Sequence, residues 1–129
     1  MKKLLLTLML AVVSSSAIAE WFEVNSSNDL GITVYADPSS IRKTDNKLKM
    51  WFLSDYKKAR GLKSARYMSV VSQIECDCME EQVRPGYGTF YEGNMARGRS
   101  VSTGLSSLNW KPVAPGGIHE HLLIFACGT

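Results

Sequence analysis

Cysteine, histidine and any surplus of charge are scarce in this chain of 129 residues. Cysteine occurs three times, as Cys76, Cys78 and Cys127, and none precedes Cys76. A lipid attached near the start of a processed chain needs a cysteine there, so a lipid-anchored product is not expected. Histidine occurs twice, and His119 and His121 flank Glu120. A metalloprotease helix needs two histidines four positions apart on one face. Residues two apart on a helix point about 200° apart, so this pair is read as polar residues opening a helix near the surface. Cys76-x-Cys78 lacks the two-residue spacer of a thioredoxin-like motif, and no βαβ pattern surrounds it. Glu80 and Glu81 would face opposite ways on a strand, which disfavours a cooperating carboxylate pair. Gly86-Tyr87-Gly88 is too short for a phosphate-binding fingerprint. The chain is accordingly read as a non-enzyme, with no cofactor, no metal and no catalytic residue.

Charge excludes a further class. The formal net charge is +3, but all 12 acids lie at or after Glu20, whereas Lys2 and Lys3 fall in what reads as an N-terminal leader. Without the leader the chain is close to neutral, and nucleic acid is not an expected partner. No repeat or low-complexity tract interrupts the chain.

The one long apolar run stands at the start. Lys2 and Lys3 precede Leu4 to Val13, broken only by Thr7, and the small residues Ser14 to Ser16 lead to Ala17-Ile18-Ala19. These are the three regions of a secretory signal in order. The run is about half of the ~20 residues that span a bilayer. Residues 1–19 are expected to be a cleavable signal peptide and residues 20–129 one exported domain, long enough to bury a core. The product would be periplasmic, secreted or at the cell surface, without a membrane anchor. Such compartments let thiols oxidise, and the residues alone leave open which two of the three cysteines pair.

The remainder is strand-rich. Trp21 to Val24 and Ile32 to Ala36 are short aromatic and β-branched runs, and Asp37-Pro38-Ser39-Ser40 turns the chain. Lys47 to Tyr56 alternates, with Leu48, Met50 and Phe52 on one face and Trp51 and Leu53 on the other, which suits a central strand. Lys57 to Lys63 reads as an exposed loop. Tyr67 to Cys78 is a second long strand, with Met68, Val70, Ile74, Cys76 and Cys78 in one parity. Pro85-Gly86 is expected to bend or break a strand. Gly98 to Thr103 reads as another strand and Gly104 to Asn109 as a polar loop. Ile118 to Cys127 fits either a helix or a buried strand. Trp21, Trp51 and Trp110 are expected in the core.

One segment carries concentrated charge. Nine bases fall between Arg42 and Arg66, against Asp45 and Asp55. Within it, Lys57, Lys58, Arg60, Lys63 and Arg66 form a candidate site for an anionic glycan, a lipid phosphate or an acidic protein. The plainer reading is a solvated loop.

Several blocks recur in a familiar order. Trp21, then Tyr35-Ala36-Asp37-Pro38-Ser39-Ser40-Ile41-Arg42, then Lys49-Met50-Trp51-Phe52-Leu53-Ser54-Asp55-Tyr56 resemble the bacterial surface-adhesin E family. Ser69-Val70, Asp77-Cys78 with Arg84 after it, Gly98, Trp110-Lys111-Pro112-Val113, Pro115-Gly116-Gly117 and Cys127 continue that order. The resemblance implies an α+β fold: a curved antiparallel β-sheet of about six strands with a C-terminal α-helix packed on one face. It implies that a Cys78–Cys127 disulfide tethers that helix, and so selects helix for Ile118 to Cys127. Cys76 is then additional to the family pair. It would bond Cys78, remain a buried thiol, or form an intermolecular disulfide, and its shared parity with Ile74 favours the buried thiol. In function the resemblance implies an exported, non-enzymatic binding or adhesion module that contacts host matrix proteins or envelope components. The alternative is a periplasmic structural or stress-related interaction protein. A homodimer is compatible with either.

Overall fold

The computed structural model describes residues 20–61, 64–105 and 109–128. The proposed signal peptide and Lys63 therefore lie outside the described residues. In chain order the strands are β1 (Phe22–Ser27), β2 (Ile32–Ala36), β3 (Arg42–Thr44), β4 (Lys47–Arg60), β5 (Tyr67–Asp77), β6 (Gln82–Tyr91), β7 (Ser100–Leu105) and β8 (Lys111–Pro112), and one helix comes last, α1 (Ile118–Cys127). They form one antiparallel sheet in the order β1-β2-β4-β5-β6-β7, with β3 added to β4 and β8 to β6. The α+β class is as expected. Among the described residues the strand count is eight rather than about six, because β3 and β8 are short, exposed and carry no apolar pattern.

Alternation in β4 and β5 builds the core. Leu48, Met50 and Phe52 stand opposite Cys76, Ile74 and Ser72, and beyond β5 the next residue from Cys76 is Val83. Leu122, Leu123 and Ala126 of α1 are buried with this row, one stripe of a 3.6-residue period. The opposite side of the helix carries Ile124, which is 61% exposed. Glu120 accepts a bond from the Gly116 amide at 3.2 Å; its negative charge in the first turn also suits the helix dipole. The Cys78–Cys127 disulfide ties the last turn of α1 to the end of β5.

Cys76 is the free cysteine and is 0% exposed. Burial pushes its thiol up to about 12, so it stays protonated and unreactive at neutral pH. Of the three fates left open, the structure has the buried thiol.

Two expectations are corrected, and a third is resolved. Lys57–Arg60 are not a loop but the end of β4, since the Lys57 amide donates to the Gly31 carbonyl at 2.9 Å. Main-chain pairing of this kind needs no apolar side chain. At Pro85-Gly86 the structure has the bend of the expected bend or break, within a continuous β6. Ser72 faces Gly88 while Ile74 faces Pro85, so β6 carries one extra residue there and bends as a bulge. Beside the bulge, a Cβ on Gly88 would lie 2.7 Å from the Ser72 hydroxyl oxygen, so a larger residue there would have to displace that side chain. The second correction concerns tryptophan: the core cluster contains none among the described residues.

Candidate functional site

The basic end of β4 is the first candidate. Asp55 opposes Ser69, yet Arg60 opposes Tyr67, so β4 bulges relative to β5 over this stretch. Lys57, Lys58 and Arg60 line a concavity of about 420 Å³ together with the Asn28–Gly31 turn between β1 and β2. Lys57 Nζ donates to Asn28 Oδ1 at 3.3 Å, and Arg60 Nη2 donates to the Leu30 carbonyl at 3.0 Å. The Arg60 guanidinium lies 4.3 Å over the Tyr56 ring. Tyr56 in turn meets Tyr67 edge-on, and Tyr67 meets Phe90. Arg60 is thereby held in place by a bond below and a ring beside it, with its remaining donors available. Leu30, 64% exposed, forms an apolar lip, and Asp29 is the one acid among the lining residues. Arg66 is exposed before β5 and does not line this concavity. The structure thus brings together three of the five sequence-selected cations. The Asn28–Leu30 side of the site was not foreseen; it comes from a turn nearly thirty residues away in the chain.

The second candidate is the sheet face that α1 leaves uncovered. Tyr35, Leu53, Val71 and Thr89 form one row across β2, β4, β5 and β6. Two segments fold back over this face. At one end, the 3₁₀ turn Asn94–Ala96 is held on Asp55 and Ser69. Asp55 Oδ1 accepts from the Met95 amide at 2.9 Å and from Asn94 Nδ2 at 3.1 Å. Ser69 Oγ accepts from the Ala96 amide at 2.9 Å and donates to the Gly93 carbonyl at 2.6 Å. These bonds hold Met95 and Ala96 at φ of 56° and 59°, a region non-glycine residues seldom occupy. At the other end lies Trp110, with Lys47 Nζ at 5.3 Å and the Arg84 guanidinium at 4.8 Å from its ring. Arg84 also bonds Glu75 at 2.9 Å. Between the two covers, a cleft of about 310 Å³ is lined by Trp21, Asp37, Trp51, Val71, Thr89 and Tyr91. All three tryptophans are half-buried, placed against this face or its covers rather than in the core.

His119 and His121 both line a third cavity with Lys111 at the start of α1, although helical spacing suggested divergent directions. Burial, aided by the nearby Lys111 charge, lowers the His119 pKa from the ordinary histidine value. Among the described residues, no group of three or more His, Cys, Asp or Glu is placed to hold a metal ion.

The fold is shared with solved structures. It superposes on protein E from non-typeable Haemophilus influenzae with a TM-score of 0.60 at 12% identity, covering 82% of this chain and 75% of that one. Against the selenomethionyl form of Haemophilus influenzae protein E the TM-score is 0.59 at 14% identity, over 74% of this chain and 78% of that one. A further crystal form of the same protein gives 0.55 at 13% identity, over 74% and 80%. At such identity the likeness establishes the architecture alone. No curated protein matches the sequence. The family model for surface-adhesin protein E, however, matches residues 21–128, and the chain belongs to that family.

Proposed function

We propose that this protein is an exported binding module of the adhesin type, which contacts an anionic protein, glycan or lipid partner outside the cytoplasm through the basic end of β4. The observation that carries this reading is the convergence of Lys57, Lys58 and Arg60 on one open concavity beside an exposed apolar lip. Cations fixed around a concavity attract anionic groups and add charge-assisted bonds on contact. Host matrix proteins and envelope components both offer such groups. Lys63 and Arg66 extend the candidate surface in sequence, and their contribution is part of the proposal.

Immobilised heparin is the probe. The protein is expected to be retained at low salt and released as salt screens the contact. Lys57→Ala, Lys58→Ala and Arg60→Ala together are expected to abolish retention, whereas Lys49→Ala, outside the concavity, leaves it unchanged. Retention that survives the triple substitution would overturn the assignment of the site.

A second reading is residence in the periplasm as a structural or stress-related interaction protein. It keeps the same binding surface and changes only what that surface meets.

A further inference from the structure

We propose that the cleft between Trp21, Trp51 and Tyr91 binds an alkylated ammonium group, quaternary or N-methylated, with the Asp37 carboxylate as its counter-charge. Three aromatic residues line the cleft together with Asp37, and no basic side chain does. Aromatic faces attract cations through the ring quadrupole, most strongly where water is partly excluded.

Asp37 supplies the argument for charge. It is 7% exposed, and both the amide and the hydroxyl of Ser39 donate to the same oxygen, Oδ1, at 3.0 and 2.6 Å. The ion pairs found among the described residues, Arg84–Glu75 and Arg99–Glu92, do not include it. A carboxylate set among rings, with only one oxygen engaged by Ser39, is better matched by a cation than by a neutral or anionic ligand. An alkylated ammonium loses less hydration than a primary one on entering a ring-lined site, so the rings favour the alkylated form. A neutral sugar would stack on the same rings but leave the charge on Asp37 unmatched.

The site is also pre-arranged. The Asp37 amide donates to the Trp51 carbonyl at 3.1 Å, and the Trp51 amide donates to Ser40 Oγ at 3.0 Å. These two bonds clamp the turn that carries the carboxylate to the strand that carries the indole. Little ordering then remains to be done on binding. The proposal does not depend on the basic concavity, which would take a ligand of opposite charge.

The test monitors the tryptophan indole N–H signals by NMR while choline chloride is added to the mature protein. The Trp21 and Trp51 signals are expected to shift saturably, and that of Trp110 to stay in place. Asp37→Asn, which keeps an oxygen for the Ser39 bonds, and Trp51→Phe are each expected to weaken the effect about tenfold. Trp51→Phe reads the same site should the Asp37 change disturb the turn. Retention on phosphatidylcholine but not phosphatidylglycerol vesicles would assign a lipid headgroup; choline binding without vesicle retention would assign a free amine. The proposal is overturned if no saturable shift occurs, if sodium chloride or methyl glucoside produces the same shift, or if both variants bind as the unaltered protein does.

Discussion

Replacing both Cys78 and Cys127 with alanine is expected to lower the melting temperature by about 15–30 °C. The bond closes a loop of sequence separation 49. In the chain-entropy model a loop of that length restricts the unfolded chain by about 4 kcal/mol. Domains of this size have total stabilities of roughly 5–15 kcal/mol, so a large share rests on one bond. The folded side points the same way. α1 has 10 residues, too few to persist as an isolated helix, which needs about 12–15. Its attachment relies on Leu122, Leu123 and Ala126 and on the disulfide at its last turn. Thermal unfolding monitored by circular dichroism measures the shift, and reductant added to the unaltered protein is expected to reproduce it. A change of only a few degrees would mean that the helix holds to the sheet without the bond.

The second large effect lies on that helix. Leu122→Ala is expected to cost about 2–5 kcal/mol, because Leu122 is 0% exposed and packs into the cluster formed by Met50, Ile74 and Val83. Truncation would leave a cavity between helix and sheet that a tethered helix closes only in part. Ile124→Ala, two positions on, is expected to change stability by no more than about 0.5 kcal/mol, since Ile124 is 61% exposed. Urea unfolding of the pair gives the contrast. Equal losses would contradict the helix register.

Legibility in the residues depended on whether the information was local. The alternation of Leu48, Met50 and Phe52, and of Ile74 and Cys76, marks two core strands because side chains in a strand repeat every two positions. The buried state of Cys76 comes from the same parity. Leu122-Leu123-Ile124-Phe125 fits helix and strand alike, and only the family resemblance separated them. The tryptophans lie outside the core cluster, since an apolar ring says nothing about which sheet face the helix will cover. The lysines at the end of β4 resemble a loop, yet the Lys57 amide pairs with the Gly31 carbonyl. Neither candidate site was complete in the sequence: the basic concavity needs the Asn28–Gly31 turn, and the aromatic cleft needs the clamp between Ser40 and Trp51. Both depend on long-range register, which no local pattern records.

If this family member works as a binding module presented outside the cell, it must be reachable from the medium. Adding a protease to intact producing cells, with a periplasmic protein as the internal control, tests that most directly. The chain is expected to be cleaved while the control stays whole. Full protection of the chain until the outer envelope is opened would contradict surface presentation and leave the periplasmic reading in its place.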